Sequence, residues 1–115
     1  MLNSKALAAS ASAPKIYVED IFSTWLYTGN GSTQTITNGI DLSGKGGLVW
    51  TKYRSGGSLG TSHHALIDTV RGTGKALSSS LTSGEQTFSD SITAFGSTGY
   101  TLGADINGRV NYGTG

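Results

Sequence analysis

Seven stretches of this chain carry residue types able to do chemistry, and each asks for partners that the sequence must also supply. His63-His64 with Asp68 is the histidine-containing cluster. On a strand His64 and Asp68 share a face but lie too far apart to act together, and a metal site needs several convergent ligands. The pair reads as two loop-edge histidines. Gly72-Thr73-Gly74-Lys75 has the flavour of a phosphate loop. A P-loop needs a glycine where Thr69 stands and a hydroxyl residue where Ala76 stands, so that chemistry is rejected. Asp105-Ile106-Asn107-Gly108 has the form of a calcium-loop opening, but the closing Glu is missing, which leaves a plain turn built from standard turn formers. Glu19, Asp20 and Glu85 are the carboxylates to weigh for glycoside hydrolysis. Adjacent Glu19 and Asp20 on a strand face opposite ways, so they form no acid pair.

The serines and threonines form no Gly-x-Ser-x-Gly elbow with a histidine partner. Asn30-Gly31-Ser32 matches a glycosylation sequon, which has meaning only in a eukaryotic secreted protein. Tyr17, Trp25, Tyr27 and Tyr53 have faces that stack on sugars, although half-buried strands use aromatics for core and interface more often. No catalytic residues and no cofactor are therefore expected, and function falls to assembly or binding.

The composition supports that direction. The 115 residues make one domain, or one domain with an arm. There are no cysteines, which excludes a disulfide framework and thiolate chemistry. Formal net charge is +1 from eight basic and seven acidic residues, scattered without a basic stripe, so nucleic acid is not an expected partner. No apolar run approaches the about 20 residues that cross a bilayer. Only 13% of residues are charged, and 18 glycines with abundant Ser and Thr separate regularly spaced aromatic and β-branched residues. That is the composition of a turn-rich β protein.

The elements that would position these side chains follow. Residues 1–15, ending near Pro14, read as a flexible N-terminal arm; they lack the apolar centre of an export signal. The β-sandwich domain is expected over 16–115. Ile16 to Thr28 is rich in β-branched and aromatic residues and reads as one or two strands; Thr33–Thr37 is a short alternating strand. Asn38-Gly39 and Gly44–Gly47 are turns that deliver the chain into the strand Leu48–Tyr53. There Leu48, Trp50 and Lys52 share one face and Val49, Thr51 and Tyr53 the other; Leu48 and Trp50 are expected to be the core anchors. Arg54–Ser62 is a loop, and His64–Val70 a strand. Lys75–Leu81 is a weak strand, followed by a loop over 82–90. Ile92–Phe95 and Tyr100–Leu102 form a hairpin across Gly96–Gly99, and Arg109–Tyr112 opens a last strand. Because that strand stops abruptly at Gly113–Gly115, the sandwich is expected to lack a closing strand, supplied by a partner or by further chain.

The stretch Asn38-Gly39-Ile40-Asp41-Leu42 through Gly46-Gly47-Leu48-Val49-Trp50-Thr51-Lys52 resembles a segment of tail-fibre and other virion structural proteins of marine and cyanobacterial phages. The resemblance continues through His64–Gly72 and Lys75–Ser80. It ends in the Thr93-Ala94-Phe95 and Gly99-Tyr100-Thr101-Leu102-Gly103 hairpin, and covers most of residues 16–112. It implies an all-β fold, an antiparallel β-sandwich of the concanavalin A/laminin G-like jelly-roll kind. Such a scaffold serves both glycan binding and virion architecture. The resemblance further implies a location in the virion tail, tail or baseplate proteins as partners, a homotrimer, and a host-surface glycan as a further partner. The leading expectation is the N-terminal, tail- or baseplate-attaching part of a tail fibre, with Ile16, Tyr17, Val18, Ile21 and Phe22 as the assembly interface. The alternatives are a carbohydrate-binding module and a capsid decoration protein.

Overall fold

The β6–β7 hairpin organises the larger sheet of this computed structural model, which describes residues 15–55 and 63–113. Strand β6 (Ile92–Phe95) returns through Gly96-Ser97-Thr98 into β7 (Gly99–Leu102), and the Gly96 N–H donates to the Gly99 carbonyl at 2.8 Å. β1 (Gln34–Thr37) pairs on the other side of β7, giving an antiparallel order β1-β7-β6. As the central strand, β7 buries Tyr100 and Leu102. Gly99 is required where β7 meets β1: a Cβ there would collide with the Ile36 carbonyl. A bulge between Ile92 and Ala94 shifts the register, so that Ile92 faces the core while Phe95 packs at its margin.

β2 (Leu48–Thr51) and β3 (Ala65–Asp68) form a second antiparallel pair, with Val49 opposite Ile67 and Thr51 opposite Ala65. β4 (Lys75–Ala76) and β5 (Gln86–Thr87) form a third. The reciprocal bonds between Leu66 and Leu77, 2.8 and 3.0 Å, join β3 to the chain leaving β4. The only helix among the described residues is α1 (Val18–Ile21), a single turn. The chain is thus a small all-β domain of antiparallel sheets. One apolar cluster draws on all three sheets: Ile36 and Leu102 from the first, Val49 and Ile67 from the second, Ala76 from the third, and Val110 from irregular chain.

Short polar staples set the turns. Asp68 Oδ1 accepts the N–H groups of Val70 (3.0 Å) and Arg71 (2.8 Å), and Asp68 Oδ2 accepts Arg71 Nε at 2.8 Å. The Asp-Thr-Val-Arg-Gly motif is therefore a side-chain-closed turn. The backbone N–H of Arg71, first among these contacts, holds the Asp68 carboxyl below its ordinary range. The Asn38–Gly47 stretch docks on the hairpin: Gly39 N–H donates to the Thr98 carbonyl, and the Leu42 and Ser43 N–H groups share the Gly96 carbonyl, all at 3.0–3.1 Å.

Several expectations need correction. Leu48 and Trp50 are not core anchors; they are 53% and 61% exposed. Pairing with β3 locks the parity of β2, and the small or apolar partners Ala65 and Ile67 lie opposite Thr51 and Val49, so that face turns inward. Ile16–Thr28 forms no strand; its first part carries α1, whose N-terminus is held by the Tyr17 N–H donating to Asp20 Oδ2 at 2.9 Å. With no strand paired to this segment among the described residues, local bonding decides the conformation. Lys75–Leu81 shortens to β4 plus the Leu77 bridge, and β5 arises within the expected 82–90 loop. Val110 and Asn111 are buried without being a strand. The expected arm falls, except for Lys15, outside the described residues, as does 56–62 of the Arg54–Ser62 loop.

Candidate interaction surface

The alternation of β2 creates the site. The Thr69 N–H donates to the Gly47 carbonyl at 3.0 Å, so odd-numbered residues of β2 exchange backbone bonds with β3. The backbone groups of Leu48 and Trp50 then point away from β3. Leu66 behaves reciprocally, turning its own to Leu77. An open cleft of about 1040 Å³ runs along this side: every residue from Leu48 to Lys52 lines it, and none of β3 does. The cleft therefore follows the edge of β2 that no strand pairs among the described residues.

The irregular chain Phe22–Gly29 supplies another wall. Tyr27 fastens that wall by donating its hydroxyl proton to the Val110 carbonyl at 2.5 Å. Asn111 fastens its end: the side chain accepts from Asn30 N–H (3.1 Å) and Gln34 Nε2 (2.5 Å), and donates to the carbonyls of Ser32 and Gly103, each at 2.6 Å. Tyr53 closes the far end, its hydroxyl accepting the Tyr112 N–H at 2.7 Å. Burial raises the Tyr27 phenol well above its ordinary value, with smaller contributions from neighbouring Tyr100, Tyr53 and Asp105. Burial likewise raises Tyr53 and Tyr100.

Trp50 projects from the cleft rim in a fixed pose. Its Nε1–H donates to His64 Nδ1 at 2.8 Å, with ring centroids 5.6 Å apart. That bond assigns the neutral His64 proton to Nε2. The cleft is cationic: Lys52, Arg54 and Arg109 line it, and no described Asp or Glu does. Two of its polar atoms are buried without a hydrogen-bond partner among the described residues, Thr51 Oγ1 and Arg109 Nη1. Thr51 is only 7% exposed. Arg109 is otherwise held over the Phe88 ring, 4.6 Å from its centroid, and to Gln86 Oε1 at 3.4 Å.

Of the aromatics singled out in the sequence, Trp25, Tyr27 and Tyr53 gather in the cleft, and Tyr17 does not. Ile16, Tyr17, Val18, Ile21 and Phe22 are all exposed. Ile16 and Ile21 border a smaller hollow shared with Gly39 and Lys45, while Phe22 joins the cleft wall. The remaining candidates are dispersed into local bonds: His63 Nδ1 lies 3.2 Å from Ser80 Oγ, Lys75 Nζ donates to Thr87 Oγ1 at 2.9 Å, and Glu85 meets Arg71 at 3.4 Å on the surface. Among the described residues no group of three or more His, Cys, Asp or Glu converges, and no helix is long and apolar enough to cross a membrane. Sequence reasoning missed Thr51 and Arg109, because orphaned donors become visible only once neighbours are known. It also missed Asp105 as an organising residue.

Residues 18–115 match a family described as a domain of unknown function, DUF7483. No curated protein and no solved structure matches the chain. With nearly all of its described residues inside that match, the chain belongs to the DUF7483 family.

Proposed function

We propose that this chain is a structural protein of a bacteriophage virion, the N-terminal part of a tail fibre that attaches to the tail or baseplate. In this reading the antiparallel sheets are those of a concanavalin A-like jelly-roll sandwich, the protein is not an enzyme, and it needs no cofactor. One observation carries the assembly role: the consecutive segment Ile16–Phe22 holds five large apolar residues, each more than half exposed, in and around a one-turn helix. A segment of this kind hides its apolar surface only against a partner. The resemblance of Asn38–Lys52 to virion proteins supports placing that partner in a phage tail. Deleting residues 1–21 is expected to abolish incorporation into virions, scored by immunoblot of purified particles. Normal incorporation of the truncated chain sinks the proposal, and gold labelling on the capsid rather than the tail replaces it with a decoration protein.

The immobilised, exposed Trp50 favours a second reading, a module binding host-surface glycan, because a fixed indole face is a stacking platform for sugars. It predicts binding on a glycan array that Trp50→Ala removes; silence of the folded protein on such an array counts against it.

A further inference from the structure

The edge of β2 lacks the protection that exposed strand edges usually carry. Leu48-Val49-Trp50-Thr51 contains no proline, no bulge and no charge, yet among the described residues the backbone groups of Leu48 and Trp50 meet a cleft instead of a strand. The cleft is also lined by Phe22–Gly29, so a segment entering along β2 meets protein on a second side. We propose that the cleft is a strand-acceptor groove, and that its occupant is the Ile16–Phe22 segment of a second copy of this chain. The inference rests on the reading of that segment as an assembly device and names its receiver.

Three observations select this occupant. The first is charge: a cleft lined by Lys52, Arg54 and Arg109, without a described carboxylate, meets a segment carrying Glu19 and Asp20. The second is conformation. Ile16, Val18 and Ile21 are β-branched and favour a strand, and a one-turn helix is marginal without a partner. In the groove, Leu48 and Trp50 offer the backbone ladder that such residues prefer. The third is connectivity. Ile21 and Phe22 already belong to the groove in their own chain, and no Gly, Pro or Asn lies between Lys15 and Thr28 to turn the segment back into it. A donor from one copy filling an acceptor on the next is a heterologous contact, which closes into a ring when the rotation permits. The trimer expected for a tail fibre is one such ring.

The test uses the full-length chain and a synthetic peptide of residues 15–22, followed by light scattering and calorimetry. The chain is expected to self-associate, and excess peptide to release monomer. A peptide with Glu19→Lys and Asp20→Lys is expected to bind at least about tenfold more weakly at low salt, the difference shrinking as salt rises. Trp50→Pro removes a donor facing the groove but none used by β3, and is expected to stop association; Trp50→Lys does the same by charge if the proline variant unfolds. A chain that stays monomeric and ignores the peptide overturns the inference. So does an oligomer indifferent to both Trp50 variants and to the charge-reversed peptide. Capture of polygalacturonate in the groove with no peptide binding overturns it in favour of an acidic glycan. If the peptide fails while deletion of residues 1–21 still blocks virion incorporation, the segment attaches elsewhere: the assembly reading stands and this receiver does not.

Discussion

Asp105 is the residue on which the described C-terminal chain turns. It sits at φ 52, a left-handed conformation that Asp tolerates better than most residues, and it is almost fully buried. Its carboxylate spends both oxygens: Oδ1 accepts the Ser91 hydroxyl at 2.8 Å, and Oδ2 accepts the N–H groups of Val110 and Asn111, each at 2.6 Å. Those bonds offset the desolvation of the charge and fix Asn111, which in turn fastens the cleft wall. Replacing the side chain strands two buried N–H groups and a hydroxyl. Asp105→Ala is expected to cost about 3 kcal/mol in urea unfolding, and Asp105→Asn less, because the amide keeps the backbone preference and one acceptor. A cost under about 1 kcal/mol for the alanine variant would show that the network does not organise this region. In the sequence, Asp105-Ile106-Asn107-Gly108 is visible as a turn, and the Gly108 N–H does donate to the Asp105 carbonyl at 2.8 Å. Its second role, bracing residues five and six positions later, depends on burial that no local pattern announces.

At the scale of elements, the strongest constraint is backbone contact between β1 and β7. Gly99 lies against the Ile36 carbonyl and the Thr37 Cα, so nothing flexible yields to an added methyl. Gly99→Ala is expected to lose more than about 2 kcal/mol and to disrupt the β1–β7 pairing, seen as lost amide protection in β1. Gly39→Ala, with nothing within 4 Å and φ 85, is the comparison: only the backbone penalty of about 1 kcal/mol applies. Equal costs for the two would refute the steric account. The hairpin bearing Gly99 was legible because alternation and a Gly-Ser-Thr-Gly turn agree there. The faces of β2 were also legible, but not which one is inside. Trp50 is the largest apolar side chain of that strand, and size argues for burial. Parity decided otherwise, since Ala65 and Ile67 leave the inner face to Val49 and Thr51. The two-residue strands β4 and β5 and the turn α1 lie below the length at which periodicity carries information.

For the whole molecule, three tyrosines tie the core cluster to the cleft, and they make its integrity depend on alkali. Tyr100 belongs to the core, Tyr27 packs against it, and Tyr53 stands at the cleft's end. The aromatic content of the cleft was legible residue by residue; its assembly was not, because Trp25 and Tyr27 reach Tyr53 and Tyr112 only through the fold. Burial raises all three phenols above the ordinary value of 10.0. The unfolded chain therefore ionises first. The stability these groups contribute is fully present below pH 10.0, declines once the unfolded state begins to lose protons, and is gone when pH passes the folded-state values. Urea midpoints measured from neutral pH upward are expected to hold steady and then fall steeply above about pH 10. Tyr27→Phe loses the bond to Val110, costing about 1 kcal/mol at neutral pH, but it removes the most shifted phenol. Its midpoint is expected to fall less steeply in alkali, so the two curves converge as pH rises. Parallel curves would mean that Tyr27 ionises as readily in the folded chain as in the unfolded one, and that the cleft wall is open to solvent at that position. The same titration in the presence of the 15–22 peptide links the scales: an occupant in the groove further shields Tyr27 and Tyr53, and is expected to push tyrosinate absorbance to still higher pH.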